Sequence, residues 1–212
     1  MDHPLHLEFL AAEVDVGRLP VTRAEIAFIG RSNVGKSSLL NAIADNPLLA
    51  RVSAAPGRPQ ALGCFALDRT GATLVDCPGY GYARASKSKR ETFLPMVASY
   101  LLEREQLLMV LLLVDGEIGP TASDLDMLEW LRGNGVPHAV VATKRDKVKR
   151  SQRNHRQHEL AARCQLPAAD VSWVSAAENV GIPQLRERIR GWLGAIPASS
   201  PPSAFTLRKS AR

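Results

Sequence analysis

An α/β fold, built on a doubly wound and mainly parallel six-stranded sheet with helices on both faces, is what this sequence predicts. Three observations point to it. Short apolar runs alternate with amphipathic stretches along almost the whole chain, the pattern of repeated strand–helix crossovers. One run, Leu108 to Val114, is apolar throughout, as a central strand buried on both faces should be. A glycine-rich turn follows the strand-like Ile26–Ile29 and opens a helix-like stretch.

The elements follow in order. After the strand at Ile26–Ile29 a helix is expected from about Lys36 to Ala44. Leu62–Leu67 and Thr73–Val75 read as paired strands around a turn at Thr70-Gly71. Ser123–Arg132 reads as a helix, with Ser123 as its cap and Asp124 in its first turn. His138–Ala142 and Val171–Val174 complete the strands, and Ile182–Leu193 is the last helix. Residues 1–195 are expected to form a single domain, and 196–212, with Ala198-Ser-Ser-Pro-Pro-Ser, a flexible Pro/Ser-rich basic tail.

Bulk properties narrow the function classes. With 212 residues, 45% of them hydrophobic and 23% charged, the chain has the composition of one globular α/β domain. The apolar run from Leu107 to Val114 is too short to span a bilayer, and MDHPLHLEFL lacks the features of a secretion signal. No membrane insertion is expected, and a reduced cytoplasm is the expected location. Cys64, Cys77 and Cys164 are too widely spaced to suggest a zinc site or a disulfide framework, and Cys77 reads as a small buried filler. The net charge of +6 is unevenly spread. Thr143 to Arg163 holds eight Lys or Arg against two acids, and Arg84 to Arg90 is a second concentration. Such density suits a phosphate-facing surface or, equally, a solvated face.

Gly30-Arg31-Ser32-Asn33-Val34-Gly35-Lys36-Ser37 matches G-x-x-x-x-G-K-[ST] at every fixed position, between a predicted strand and a predicted helix. This is the phosphate loop of a P-loop NTPase. Its glycines let backbone N–H groups turn towards phosphate oxygens, and the helix N-terminus adds a favourable dipole. Lys36 should reach the β- and γ-phosphates, and the Ser37 hydroxyl should ligate Mg²⁺. Asp76-Cys77-Pro78-Gly79 follows the next predicted strand but one. Asp76 there can hold the magnesium shell through water, and Gly79 can offer its N–H to a γ-phosphate.

Thr143-Lys144-Arg145-Asp146 follows a strand, where a doubly wound sheet places its ligand loops. The Asp146 carboxylate can accept from guanine N1–H and the exocyclic amine. Adenine lacks that donor pair and would leave the carboxylate badly paired, which disfavours an ATPase. The Lys144 stem can lie across the purine, and Ser175-Ala176 can supply a backbone N–H to guanine O6.

These stretches, with Pro56-Gly57-Arg58 and the extension Gly79-Tyr-Gly-Tyr82, closely resemble the bacterial ribosome-biogenesis GTP-binding proteins of the EngB/YsxC type, in the Era-like branch of TRAFAC class GTPases. The likeness covers roughly residues 5 to 195. It implies a cytoplasmic GTPase that binds GTP/GDP with Mg²⁺, assists assembly of the large ribosomal subunit against its rRNA, and is needed for normal cell division and septation. A monomer is expected. The resemblance also implies nucleotide contacts from Ser38, Gly57, Arg58 and Val174 besides the residues above.

Two departures bear on catalysis. The family's first switch reads Thr-Pro-Gly-Arg-Thr-Gln, and its second threonine closes over Mg²⁺. Here Ala55-Pro-Gly-Arg-Pro59-Gln60 puts a proline there, with neither hydroxyl nor N–H, leaving Ser37, the phosphates and water to hold the ion. Tyr80 stands where many GTPases carry the glutamine that orients the attacking water. Weak intrinsic GTPase activity is therefore expected, with Lys36 and Asn33 as the catalytic residues. Asn33 is cast as holder of a K⁺ ion, by resemblance to related GTPases. The competing reading, from another class, is a non-catalytic RNA- or ribosome-binding module that uses nucleotide for stability.

Overall fold

The computed structural model describes residues 3–50, 61–67, 70–80 and 87–194, with backbone alone for 87–94. Gly57, Arg58 and Pro59, together with Arg84 and the tail expected over 196–212, lie outside the described residues; so do the side chains of Lys87, Lys89 and Arg90.

Among the described residues one seven-stranded sheet runs in the order β1-β3-β4-β2-β5-β6-β7. Its strands are β1 (Leu7–Glu13), β2 (Ala24–Gly30), β3 (Leu62–Leu67), β4 (Ala72–Asp76), β5 (Leu107–Asp115), β6 (His138–Thr143) and β7 (Ser172–Trp173). The helices are α1 (Lys36–Ala44), α2 (Lys87–Glu103), α3 (Ala122–Gly133), α4 (Arg153–Arg163) and α5 (Ile182–Gly194). The five strands β4, β2, β5, β6 and β7 pair in parallel, and β3 joins β4 antiparallel.

The six expected strands are all present, and the seventh is β1. It pairs antiparallel with β3, with a register shift between Phe9 and Ala11, and Phe9 meets Phe65 edge-on at 5.8 Å between ring centroids. Two helices also had no counterpart in the sequence reading. Within α2 a proline, Pro95, interrupts the pattern. α4 is so basic that only Leu160 and Ala161 of its residues are buried.

Both faces of the sheet are covered because side chains alternate along the strands. Ile26 and Phe28 of β2, with Leu111 and Leu113 of β5, pack against Leu39, Leu40 and Ile43 of α1 and Leu185 and Ile189 of α5. Ala27, Ile29, Leu112 and Val114 face the other way, towards Tyr100 and Leu101 of α2, Leu128 and Leu131 of α3 and Leu160 of α4. Each fully buried side chain of this size contributes about 1.5–3 kcal/mol. Charged groups are buried beside them, Glu25 among them. Glu25 of β2 accepts from the Thr22 hydroxyl at 2.6 Å, from Tyr100 at 3.0 Å and from Arg104 Nε at 3.0 Å, tying the end of α2 to the sheet. Among the described residues no helix is long and apolar enough to cross a membrane.

Candidate functional site

The carboxyl ends of β2, β4, β5 and β6 open onto one edge of the sheet, and the motif residues gather there. The phosphate loop leaves β2 at Gly30 and re-enters helix at Lys36. Asn33 and Gly35 carry the positive φ angles, 64° and 100°, that turn its backbone inward. Asparagine tolerates that region better than most residues. Gly30 is needed for a different reason than expected: it is extended, and a Cβ there would come within 2.9 Å of Val34 Cγ1 and 3.0 Å of the Leu113 carbonyl. Gly35 is also the N-cap of α1. No side chain caps that helix and its first turn holds no acid, so its N–H groups face the site with the helix dipole behind them. Ser37 and Ser38 are exposed at this end.

Lys36 and Asp76 meet across the cradle, the ammonium donating to Asp76 Oδ1. Burial pushes the Asp76 carboxyl above its ordinary pKa, and the Lys36 charge opposes that rise. The donors that Ser37 and Asp76 offer are hydroxyl and carboxylate oxygens, the hard set that Mg²⁺ takes, and among the described residues no group of three His, Cys, Asp or Glu competes for a softer metal. Cys77 is fully buried as expected, with its thiol pushed far up in pKa by that burial.

The turn after Asp76 continues the line of β4. Tyr80 N–H donates to the Gly30 carbonyl at 3.2 Å and Ser32 N–H donates to the Tyr80 carbonyl at 3.1 Å. Gly79 is pressed so close that a Cβ would lie 3.0 Å from Ser32 N. The Ser32 hydroxyl is itself buried and has no hydrogen-bond partner among the described residues.

One residue that sequence reasoning had placed only in a helix turn proves central. Asp124 is fully buried and collects four bonds. Arg31 of the phosphate loop donates from Nε to Oδ2 at 3.0 Å, and the Tyr80 hydroxyl donates to Oδ1 at 2.9 Å. Thr121 donates to Oδ2 from both its N–H and its hydroxyl at 2.8 Å. The cap of α3 is therefore Thr121 and not Ser123, because its reciprocal pairing with Asp124 completes a capping box. Tyr80 is held by that carboxylate, and burial, then Asp124, push its phenol pKa well up.

At the other end Thr143 bonds back to the phosphate loop, its hydroxyl donating to the Val34 carbonyl at 2.6 Å. Lys144 is in the left-handed region at φ 55° and its ammonium donates to Asp115 at 2.7 Å. Its stem is about one-third exposed, consistent with a surface that a base can lie on. The Asp146 carboxylate is positioned by the Ser175 hydroxyl, which donates to Oδ1 at 2.8 Å. Of the two residues expected to offer the O6 donor, Ser175 has its N–H committed to the Val180 carbonyl at 2.8 Å and cannot offer it. Val174 is a core residue whose carbonyl receives the Arg145 N–H at 3.1 Å. It frames the loop with its backbone.

This arrangement can hold a phosphate chain at α1 and a base with paired donors at Asp146, at opposite ends of one crevice. Residues 25–144 match a family model described as a 50S ribosome-binding GTPase. A probable GTP-binding protein EngB of Pelotomaculum thermopropionicum is 41% identical over 184 residues, covering 86% of this chain and 90% of that protein. The chain belongs to the EngB family of GTP-binding proteins. An EngB protein of Levilactobacillus brevis is 38% identical over 192 residues, covering 90% of this chain and 95% of its own. The crystal structure of a probable EngB shares the fold at a TM-score of 0.67 and 23% identity, over 81% of this chain and 99% of that one. Era, solved with MgGDPNP and nucleotides 1506–1542 of 16S ribosomal RNA, shares it at 0.58 and 20% identity, over 85% of this chain and 59% of its own. The resemblance seen in the motifs is thus met along most of the chain, and GTP binding goes with EngB membership.

Proposed function

We propose that the protein is a slow, cytoplasmic, monomeric GTPase switch for assembly of the large ribosomal subunit, and that it is needed for normal cell division and septation. A single G domain over residues 1–195 carries the switch. One observation supports it most: the Thr143 hydroxyl links the base-reading loop to the phosphate loop, so one crevice joins a phosphate cradle to a carboxylate that suits guanine. The backbone from Gly30 to Ser38 and the Lys36 ammonium bind the phosphates. Asp146 and Ala176 bind the base. Ser37 and Asp76 hold Mg²⁺, whose chemistry is to neutralise charge on the phosphate oxygens.

Slow turnover follows from Tyr80. Its hydroxyl is engaged by Asp124, and it has no carboxamide with which to orient water. K⁺ near Asn33, or the ribosomal particle, supplies the added charge that raises this rate. The partner is the pre-ribosomal particle, reached through rRNA. The test is steady-state phosphate release from GTP at matched ionic strength in KCl and NaCl, with and without large ribosomal subunits. Stimulation by subunits, and by K⁺ over Na⁺ in a manner abolished by Asn33→Ala, is the expected result. One low rate in all four conditions would leave a non-catalytic ribosome-binding module instead.

A further inference from the structure

Behind the base-reading loop lies a cavity of about 630 Å³ lined by Arg145, Arg150, Arg153, Asn154, Gln157, Trp173, Glu178 and Val180. Three guanidinium groups face one acid. That acid is weakly engaged: Glu178 is half exposed and lies 3.8 Å from Arg153, whose Nε is held by the Val148 carbonyl at 3.0 Å. The side chains of Arg145 and Arg150 have no hydrogen-bond or carboxylate partner among the described residues. Clustering like charges is unfavourable unless something anionic offsets it. The cluster is also deepened by its helix. Arg153 and Asn154 begin α4, which has neither a side-chain cap nor an acid in its first turn.

The cavity shares part of its wall, Arg145, Glu178 and Val180, with the loops of the base site, while Arg150 takes no part in those loops' bonds. Arg145 stands between Lys144, which is fixed to Asp115, and Asp146, which is fixed to Ser175. Glu178 and Val180 belong to the loop of Ser175 and Ala176: Glu178 N–H bonds the Ser175 hydroxyl at 3.0 Å, and Ser175 N–H bonds the Val180 carbonyl. A ligand that draws Arg145 towards the cavity therefore acts on the same hydroxyl–carboxylate pair that presents Asp146 to a base.

We propose that this cavity binds backbone phosphates of RNA and that its occupancy is linked to the affinity for guanine nucleotide. The proposal rests on the ribosomal reading above and names where and how that partner is sensed. Guanidinium forks match phosphate oxygens in pairs. The Asn154 and Gln157 amides both donate and accept, as contact with 2′-hydroxyls requires. Exposed Lys147 and Lys149 extend the same charge along the surface beside the cavity. Linkage is reciprocal: if RNA changes the affinity for GDP, GDP changes the affinity for RNA by the same factor.

The test uses the full-length protein with two probes, intact large ribosomal subunits and protein-free RNA extracted from them. Arg150→Ala and Arg150→Glu remove or reverse a charge that the fold does not use. Arg18→Ala, at the end of a short 3-10 turn (Val16–Arg18) before β2, changes net charge as much as Arg150→Ala does and serves as its control. Arg150→Ala should weaken binding of the RNA about tenfold at moderate salt and lower the slope of log affinity against log salt by about one phosphate contact, with a larger loss for Arg150→Glu and none for Arg18→Ala. GDP binding without RNA should be unchanged in all three, which shows that they fold. Saturating GDP should change wild-type affinity for the RNA by about fivefold or more.

Wild-type binding by Arg150→Glu to both probes overturns the cavity while leaving ribosome association standing. If the wild type sediments with neither probe, the ribosomal reading itself fails. If Arg150→Glu loses subunits but not protein-free RNA, the cavity takes an acidic protein surface and the RNA assignment is wrong. Equal RNA affinity with and without GDP overturns the linkage.

Discussion

The two ends of the crevice are loops at one edge of one sheet, yet they are held in opposite ways. At the base end the reading carboxylate has a neutral partner: Ser175 fixes one oxygen of Asp146 and leaves its charge unmatched except by Lys147 at 3.7 Å. At the phosphate end the charges are matched to each other, Lys36 to Asp76 and Arg31 to Asp124. A base can therefore meet Asp146 as it stands, whereas a phosphate chain must compete for Lys36. Affinity for the base is pre-organised, and affinity for phosphate is a difference between two ion pairs.

This contrast can be broken from either side. The largest effect should come from Lys36→Ala, which removes the only side-chain cation of the P-loop motif aimed at the phosphates; GDP affinity measured by calorimetry should fall about 100-fold, the value of a charge-assisted contact near the upper end of its range. Ser175→Ala comes next. It frees Asp146 to rotate, and GDP affinity should fall about tenfold. An unchanged affinity would mean that the Ser175 hydroxyl plays no part in holding the carboxylate. Tyr80→Phe should be the smallest. It leaves Asp124 Oδ1 without a partner at a cost of about 1–2 kcal/mol, seen as a fall in Tm of a few degrees with GDP affinity nearly unchanged. A large loss of GDP binding in that variant would show that the Asp124 cluster holds the phosphate loop itself in shape.

The base-reading tetrapeptide, the phosphate loop and the six strands β2 to β7 were legible because each is local: a short spacing or an apolar run carries the signal. What joins them was not legible. Asp124 lies 93 residues from Arg31 and 44 from Tyr80, and no pattern in the chain pairs them. A signal for its cap was available, since Thr121 and Asp124 have capping-box spacing, with the acid standing in for Glu, but Ser123 competed as the nearer hydroxyl. β1 was missed because LEFLAAE alternates poorly and gains its stability from pairing with β3 and from Phe65. α4 was missed because its first seven residues, RNHRQHE, are all polar, so its buried stripe is reduced to Leu160 and Ala161. The excess of charge there was read from the chain, but its meeting with Arg145 in one cavity needed the fold.

The account turns on Asp146 as a carboxylate set in advance for guanine. Calorimetric titration of GDP, ADP and xanthosine diphosphate into the wild type and Asp146→Asn tests this most directly. The wild type should prefer GDP to ADP by about 100-fold or more, the scale set by a buried polar group left unpaired, and Asp146→Asn should lose GDP and gain the xanthine nucleotide. Equal affinity of the wild type for GDP and ADP would contradict it.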